Sequence, residues 1–141
     1  FDLFHPDRKT RVKLYVKKIF ITEDNVALMP AYLRFVQGIV DSEDLNLNIS
    51  RETLQNNVIV DKIRNALVKR ILTELSRQKD KKYEEYVSFW ENFGSVLKEG
   101  LCEHSGDKDK LFDLCLFKTS KSEGKSVSSS TLFKLVSLIL L

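Results

Sequence analysis

Tyr86, Phe89, Trp90, Phe93, Val96 and Leu97 fall at i, i+3, i+4, i+7, i+10 and i+11, and no other stretch of the chain restricts its fold as tightly. That spacing lines one face of an α-helix. The face carries four aromatic rings, so it must be covered, and Trp90 reads as core within a full stripe rather than as a contact for a partner. Gly100 stands where a C-terminal cap belongs. A further helical stretch is predicted from Asp107 to Leu116.

Upstream the period changes from helical to alternating. Val12, Leu14 and Val16 alternate with Lys13, Tyr15 and Lys17, the pattern of a half-buried strand. The alternation slips at Lys17-Lys18 and resumes as Ile19-Phe20-Ile21, consistent with a bulge or a change in the covered face. Pro30 predicts a short helix beginning at the proline, and Gly38 a release into a second extended run at Ile39-Val40. After the acidic turn at Asp41–Asp44, LNLNIS reads as another short extended piece.

Ser50 is a good N-cap for a short helix from Arg51, because its hydroxyl can satisfy an orphan N–H of the first turn. A long helix follows from about Val60 to Ser76, with an apolar arc through Ile63, Leu67, Val68, Ile71, Leu72 and Leu75. The charged run RQKDKK is expected to break it. From Lys118 the sequence KTSKSEGKSVSSS has no apolar period and reads as a linker or disordered segment. The expected organisation is α/β: a strand-containing lobe with packed helices over residues 1–78, a small helical lobe over 79–117, and an irregular tail over 118–141.

With 141 residues the chain can bury roughly two-thirds of its unfolded surface, so a core needs neither metal nor disulfide. The opening FDLFHPDRKT is neither a signal nor a transit peptide, and the missing Met is what a piece of a longer chain would show. Cys102 and Cys115, the two cysteines, fit a reducing cytoplasm. The apolar tail Thr131–Leu141 has 11 residues, against the ~20 that cross a bilayer, so no membrane partner is expected.

Several chemistries find little support. Cys102, His104 and Cys115 offer three zinc ligands without a paired CxxC, and no metal is expected. No Ser-His-Asp or Cys-His arrangement and no GxxxxGK[ST] phosphate loop occur. From Ile59 to Lys82 there are eight Lys or Arg against three acids. A basic helical module binding nucleic acid or a protein partner is therefore the competing reading. The lysines are not interleaved with exposed aromatics, which favours a solvated face and no nucleic acid.

The stretch Ser50-Arg51-Glu52-Thr53-Leu54-Gln55 carries more specific chemistry. In a first helical turn the dipole disfavours a cation by roughly a few tenths of a kcal/mol, so Arg51 does not serve the helix. Its five-donor fork beside free backbone N–H groups suits an anion such as phosphate, and Gln55 at i+4 shares its face. The alternative is an exposed arginine paired with Glu52 or the acidic turn, which pattern alone favours. Phe20 also has two readings. If Ile19 and Ile21 face the core it points outward as an apolar contact; otherwise it is covered by a neighbouring helix.

Three stretches together resemble one family: FDLF…KLYVKKIFITED, RFVQGIVDSEDLNLNISRETLQ, and the aromatic helix followed by VLKEG. They are similar to the middle segment of heat-shock protein 90, above all its bacterial high-temperature protein G type, over about 120 of the 141 residues. The resemblance implies part of a dimeric, ATP-dependent chaperone that binds unfolded client proteins in the cytoplasm. By resemblance, Arg51 reaches the γ-phosphate of magnesium ATP held by the parent's N-terminal ATP-binding domain, Gln55 stands on the same catalytic loop, and Phe20 is an exposed aromatic for clients. The nucleotide and dimerisation domains are expected to lie outside these 141 residues, so no catalysis is expected of the chain alone. Asn46 departs from the family's usual proline, and beyond Ser120 the expected family sequence gives out.

Overall fold

The computed structural model describes residues 11–22, 28–45, 57–103, 107–118 and 125–130. They divide between two compact units, Phe1–Ile71 and Leu72–Leu141. Strands and helices occur in both halves of the sequence, so the fold class is mixed α/β, as expected.

In the first unit, β1 (Arg11–Val16) and β2 (Ile19–Thr22) form an antiparallel hairpin, and β3 (Gln37–Ser42) lies parallel to β1 on its other side. The order among the described strands is β2-β1-β3. Val12, Leu14 and Val16 are buried, whereas Lys13 is exposed and Tyr15 half-buried, so the period of two reports the covered face correctly. Lys17 and Lys18 form the two-residue hairpin turn itself, and the bulge lies between Leu14 and Tyr15 instead. The slip in the alternation is thus a reversal of the chain, not an irregularity within one strand.

Pro30 does open a short helix, a single 3-10 turn over Ala31–Leu33. The buried Arg34 closes it by donating from its guanidinium to the Ala31 carbonyl at 2.9 Å. Gly38 sits inside β3 rather than ahead of it, because the strand starts at Gln37.

Helix α1 runs over Val58–Lys81, through the charged run expected to end it. Lysine, arginine and glutamine are good helix formers, and Arg77 pairs with Glu74 one turn back. The helix ends only where Lys82 leaves helical backbone, with φ −136° and ψ 59°. Val60, Val68 and Leu72 are buried along α1 while Ile63, Leu67, Ile71 and Leu75 are half-buried, a narrower arc than the residue types imply.

The second unit contains α2 (Tyr83–Glu99), α3 (Lys108–Leu114) and a hairpin of β4 (Leu116–Lys118) with β5 (Ser126–Ser128). Tyr86, Trp90, Val96 and Leu97 are buried on α2, and the Tyr86 hydroxyl donates to the Leu114 carbonyl at 2.6 Å. Gly100 caps α2 in right-handed backbone, its N–H reaching the Leu97 carbonyl at 3.2 Å. Strand β5 falls in the serine-rich stretch that has no apolar period. Three residues are too few to display a period, and the hairpin is held by the β4 backbone and by Tyr83, which donates to the Ser126 carbonyl at 2.8 Å. Among the described residues no helix is long and apolar enough to cross a membrane.

Candidate functional site

Of the residues singled out from the sequence, Phe20 lies within the described structure; Arg51 and Gln55, with Asn46 and Ser50 beside them, lie outside the described residues. The geometry therefore bears on the β1–β2 hairpin.

Across that hairpin Phe20 stands opposite Tyr15 and Ile19 opposite Val16. Residues facing each other across a ladder project to the same side, so Phe20 shares the outer face with Tyr15 and Lys13, away from Val12, Leu14 and Val16. Its ring meets that of Tyr15 edge-on, with centroids 5.6 Å apart and planes at 69°. Half of Phe20 is nevertheless open to solvent, at 50% exposure. Ile39, opposite Lys13 on β3, is 69% exposed on the same outer face.

The isoleucines do not behave as the alternation implies. Ile19 projects to the side of the buried Val16 yet is 54% exposed, at the start of a strand that directly follows the turn and lies at the edge of the described sheet. Ile21 is half-buried and, as the extra residue of the bulge, has no partner across the ladder. Ile19 and Phe20 are thus exposed on opposite faces of β2, and Ile39 is exposed on the same face as Phe20, all three in one small sheet.

Beside them lies a polar cluster that sequence reasoning missed. Lys17 and Lys18 have φ of 49° and 68°, and positive φ at both central residues marks a type I′ hairpin turn, ordinarily an Asn-Gly site. The Lys17 N–H donates to the Ser42 carbonyl at 3.2 Å, and the Lys18 N–H to Asp41 Oδ1 at 3.2 Å. The Lys18 ammonium lies 2.5 Å from Asp41 Oδ2. These contacts hold the Asp41 carboxyl below its ordinary range, through the hydrogen bonds from the Lys18 ammonium and backbone. The same carboxylate raises the Lys18 ammonium. Two lysines interrupting an alternating run were the available signal.

Elsewhere the sequence candidates are absorbed into structure. Trp90 is buried, with the Lys98 ammonium 5.3 Å from its ring centroid. Beside it, Ser95, Phe117, Lys118 and Ser126 help line a groove of about 510 Å³. Within the basic tract of α1, Arg64 pairs with Asp61, Arg77 with Glu74, and Lys79 donates to the Asp113 carbonyl. Part of its positive charge is therefore already engaged. Cys102 is exposed; Cys115 is buried, its thiol pushed up by desolvation and directed to the Leu111 carbonyl at 3.3 Å. His104 lies outside the described residues, and among the described residues no group of three or more His, Cys, Asp or Glu could hold a metal.

Comparison with known proteins gives consistent matches. The family model described as Hsp90 protein matches residues 1–134, fourteen residues past the Ser120 at which the resemblance read from the sequence stopped. The chain is 63% identical over 120 residues to the chaperone protein HtpG of Orientia tsutsugamushi (strain Boryong). It is 59% identical over 120 residues to HtpG of Rickettsia canadensis (strain McKiel) and 58% identical over the same length to HtpG of Rickettsia akari (strain Hartford). Each match covers 85% of this chain and 19% of the relative, so the chain spans about a fifth of the length of the curated relatives it matches.

Proposed function

The chain belongs to the Hsp90 protein family, and on that premise we propose that it forms part of an ATP-dependent chaperone, contributing a contact surface for unfolded proteins and a phosphate-sensing arginine. The observation that carries the client reading is the exposure of Phe20. A ring half open to solvent, on the same face of a small sheet as the exposed Ile39, loses water-exposed area whenever an extended apolar segment lies across it. The Tyr15 contact restrains the ring from one side and leaves its other surface free for a partner.

The nucleotide enters through the family rather than through the described geometry. In this reading ATP and its magnesium are held by the parent's N-terminal domain, and Arg51, with Gln55 on the same loop, extends to the γ-phosphate. A guanidinium placed there stabilises charge on the transferring group, and its supply from a second domain makes hydrolysis conditional on domain closure. The chain alone would then hold the sensing arginine without the nucleotide and would not turn ATP over. The cytoplasm is the compartment this role implies.

The client reading is tested with the chain itself. A fluorescently labelled, reduced and carboxymethylated lactalbumin serves as a permanently unfolded probe. Binding that weakens about tenfold on Phe20→Ser, the loss of one buried aromatic anchor, is the expected result. Equal binding by the parent and the variant would remove Phe20 from the surface.

A further inference from the structure

Phe20 follows only two residues after the turn, on a four-residue strand that lies at the edge of the described sheet and carries a bulge on its far side. Its facing is therefore fixed chiefly from the turn. In a two-sided strand a slip of one residue carries every side chain to the opposite face, which here would turn Phe20 inward and Ile21 outward. Yet Lys17 and Lys18 are poor turn residues, since L side chains without a short polar group avoid positive φ. Something outside the hairpin must hold them there.

We propose that Asp41 is the positioning residue for Phe20: its carboxylate binds both the backbone N–H and the ammonium of Lys18, holding the turn left-handed and the Phe20 ring outward against Tyr15. The tie is long-range. Asp41 stands on β3, on the opposite side of β1 from the edge strand it governs, and the neighbouring Ser42 carbonyl takes the Lys17 N–H. Both hydrogen bonds follow from the parallel register that sets Tyr15 against Asp41 and Val16 against Ser42. The carboxylate thus does for this turn what glycine and asparagine do elsewhere through their own conformational freedom.

The positioning role takes its biological meaning from the reading of Phe20 as a client contact, but its test separates the two. Two quantities are measured on the 141-residue chain: the NOE between the Tyr15 and Phe20 rings, and the affinity for reduced, carboxymethylated lactalbumin. Asp41→Asn is expected to lose the ring NOE and to weaken probe binding about fivefold, roughly the worth of a single hydrogen bond. Adding Lys17→Asn and Lys18→Gly, which suit the turn without any tie, is expected to restore both. An unchanged NOE in Asp41→Asn, or a folded triple variant that does not regain it, overturns the assignment. If the NOE follows this pattern while binding stays constant, the positioning role stands and the client reading of Phe20 fails. Should Asp41→Asn alone not fold, the triple variant decides: folding with the ring NOE restored supports the role, and failure to fold overturns it.

Discussion

The ring of Phe20 meets the ring of Tyr15 edge-on at 5.6 Å while half of Phe20 remains in solvent. The first partner of this exposed aromatic is thus another aromatic, directly across the hairpin. Removing that support should weaken client binding less than removing Phe20 itself. For Tyr15→Ala we expect a loss of about 0.5–1 kcal/mol in probe binding, the lower part of what an edge-on aromatic pair is worth and less than the ~1.4 kcal/mol of a tenfold change, measured by fluorescence anisotropy. A loss equal to that of Phe20→Ser would make Tyr15 a contact in its own right.

The tie between Asp41 and Lys18 gives the hairpin a defined pH dependence. The Asp41 carboxyl titrates lower in the folded chain than its ordinary value of 3.8, so its contribution is present above that value and is lost as pH falls through the lower folded one. The Lys18 ammonium is raised above 10.5, so its contribution is present below that value and is lost as pH rises through the raised one. The tie is therefore complete across the neutral range and weakens at both extremes, modestly, because both side chains meet solvent. Following the Asp41 carboxyl carbon by NMR should place its midpoint below 3.8, and Lys18→Met should return it toward that value.

Gly94 lies beneath the indole of Trp90, where an added Cβ would stand 2.7 Å from two ring carbons. Alanine in an exposed helix position stabilises by up to about 1 kcal/mol over glycine. Here the ring is buried and must be displaced, and overpacking costs about 1–3 kcal/mol. Gly94→Ala is accordingly expected to lower stability by about 1 kcal/mol, with a change in the fluorescence of Trp90, the chain's one tryptophan. A rise in Tm would show that the indole moves freely.

For Arg51 the expected outcome is kinetic. Mixed with the isolated ATP-binding domain of an Hsp90 relative, the chain should raise ATP turnover, and Arg51→Ala should abolish most of the increase. Arginines supplied in trans are worth ~10³–10⁵ in rate, so a fall of only about twofold would assign Arg51 to its alternative, an ion pair with Glu52 or the acidic turn.

The elements written most plainly in the sequence are those with a sustained period. The stripe from Tyr86 to Leu97 gives α2, and Val12, Leu14 and Val16 give β1 with its covered face. Shorter or charge-coded features were harder to read. The hairpin turn at Lys17-Lys18 has none of the usual turn residues, because its conformation is imposed by Asp41, 23 residues away from Lys18. Strand β5 owes its existence to backbone pairing with β4 rather than to side-chain pattern. The charged end of α1 shows that a solvated run and a helix end are different things when the residues are good helix formers. At the site, the outward direction of Phe20 follows from strand geometry, but the exposure of Ile19 and Ile39 depends on what covers each part of the sheet, and residue types alone do not encode that.

The most direct measurement is a map of where an unfolded polypeptide touches this chain. Chemical-shift changes in the chain's NMR spectrum on adding reduced, carboxymethylated lactalbumin should cluster on the outer face at Tyr15, Phe20 and Ile39 and vanish in Phe20→Ser. Changes centred instead on the groove beside Trp90 and Phe117, persisting in that variant, would contradict the account.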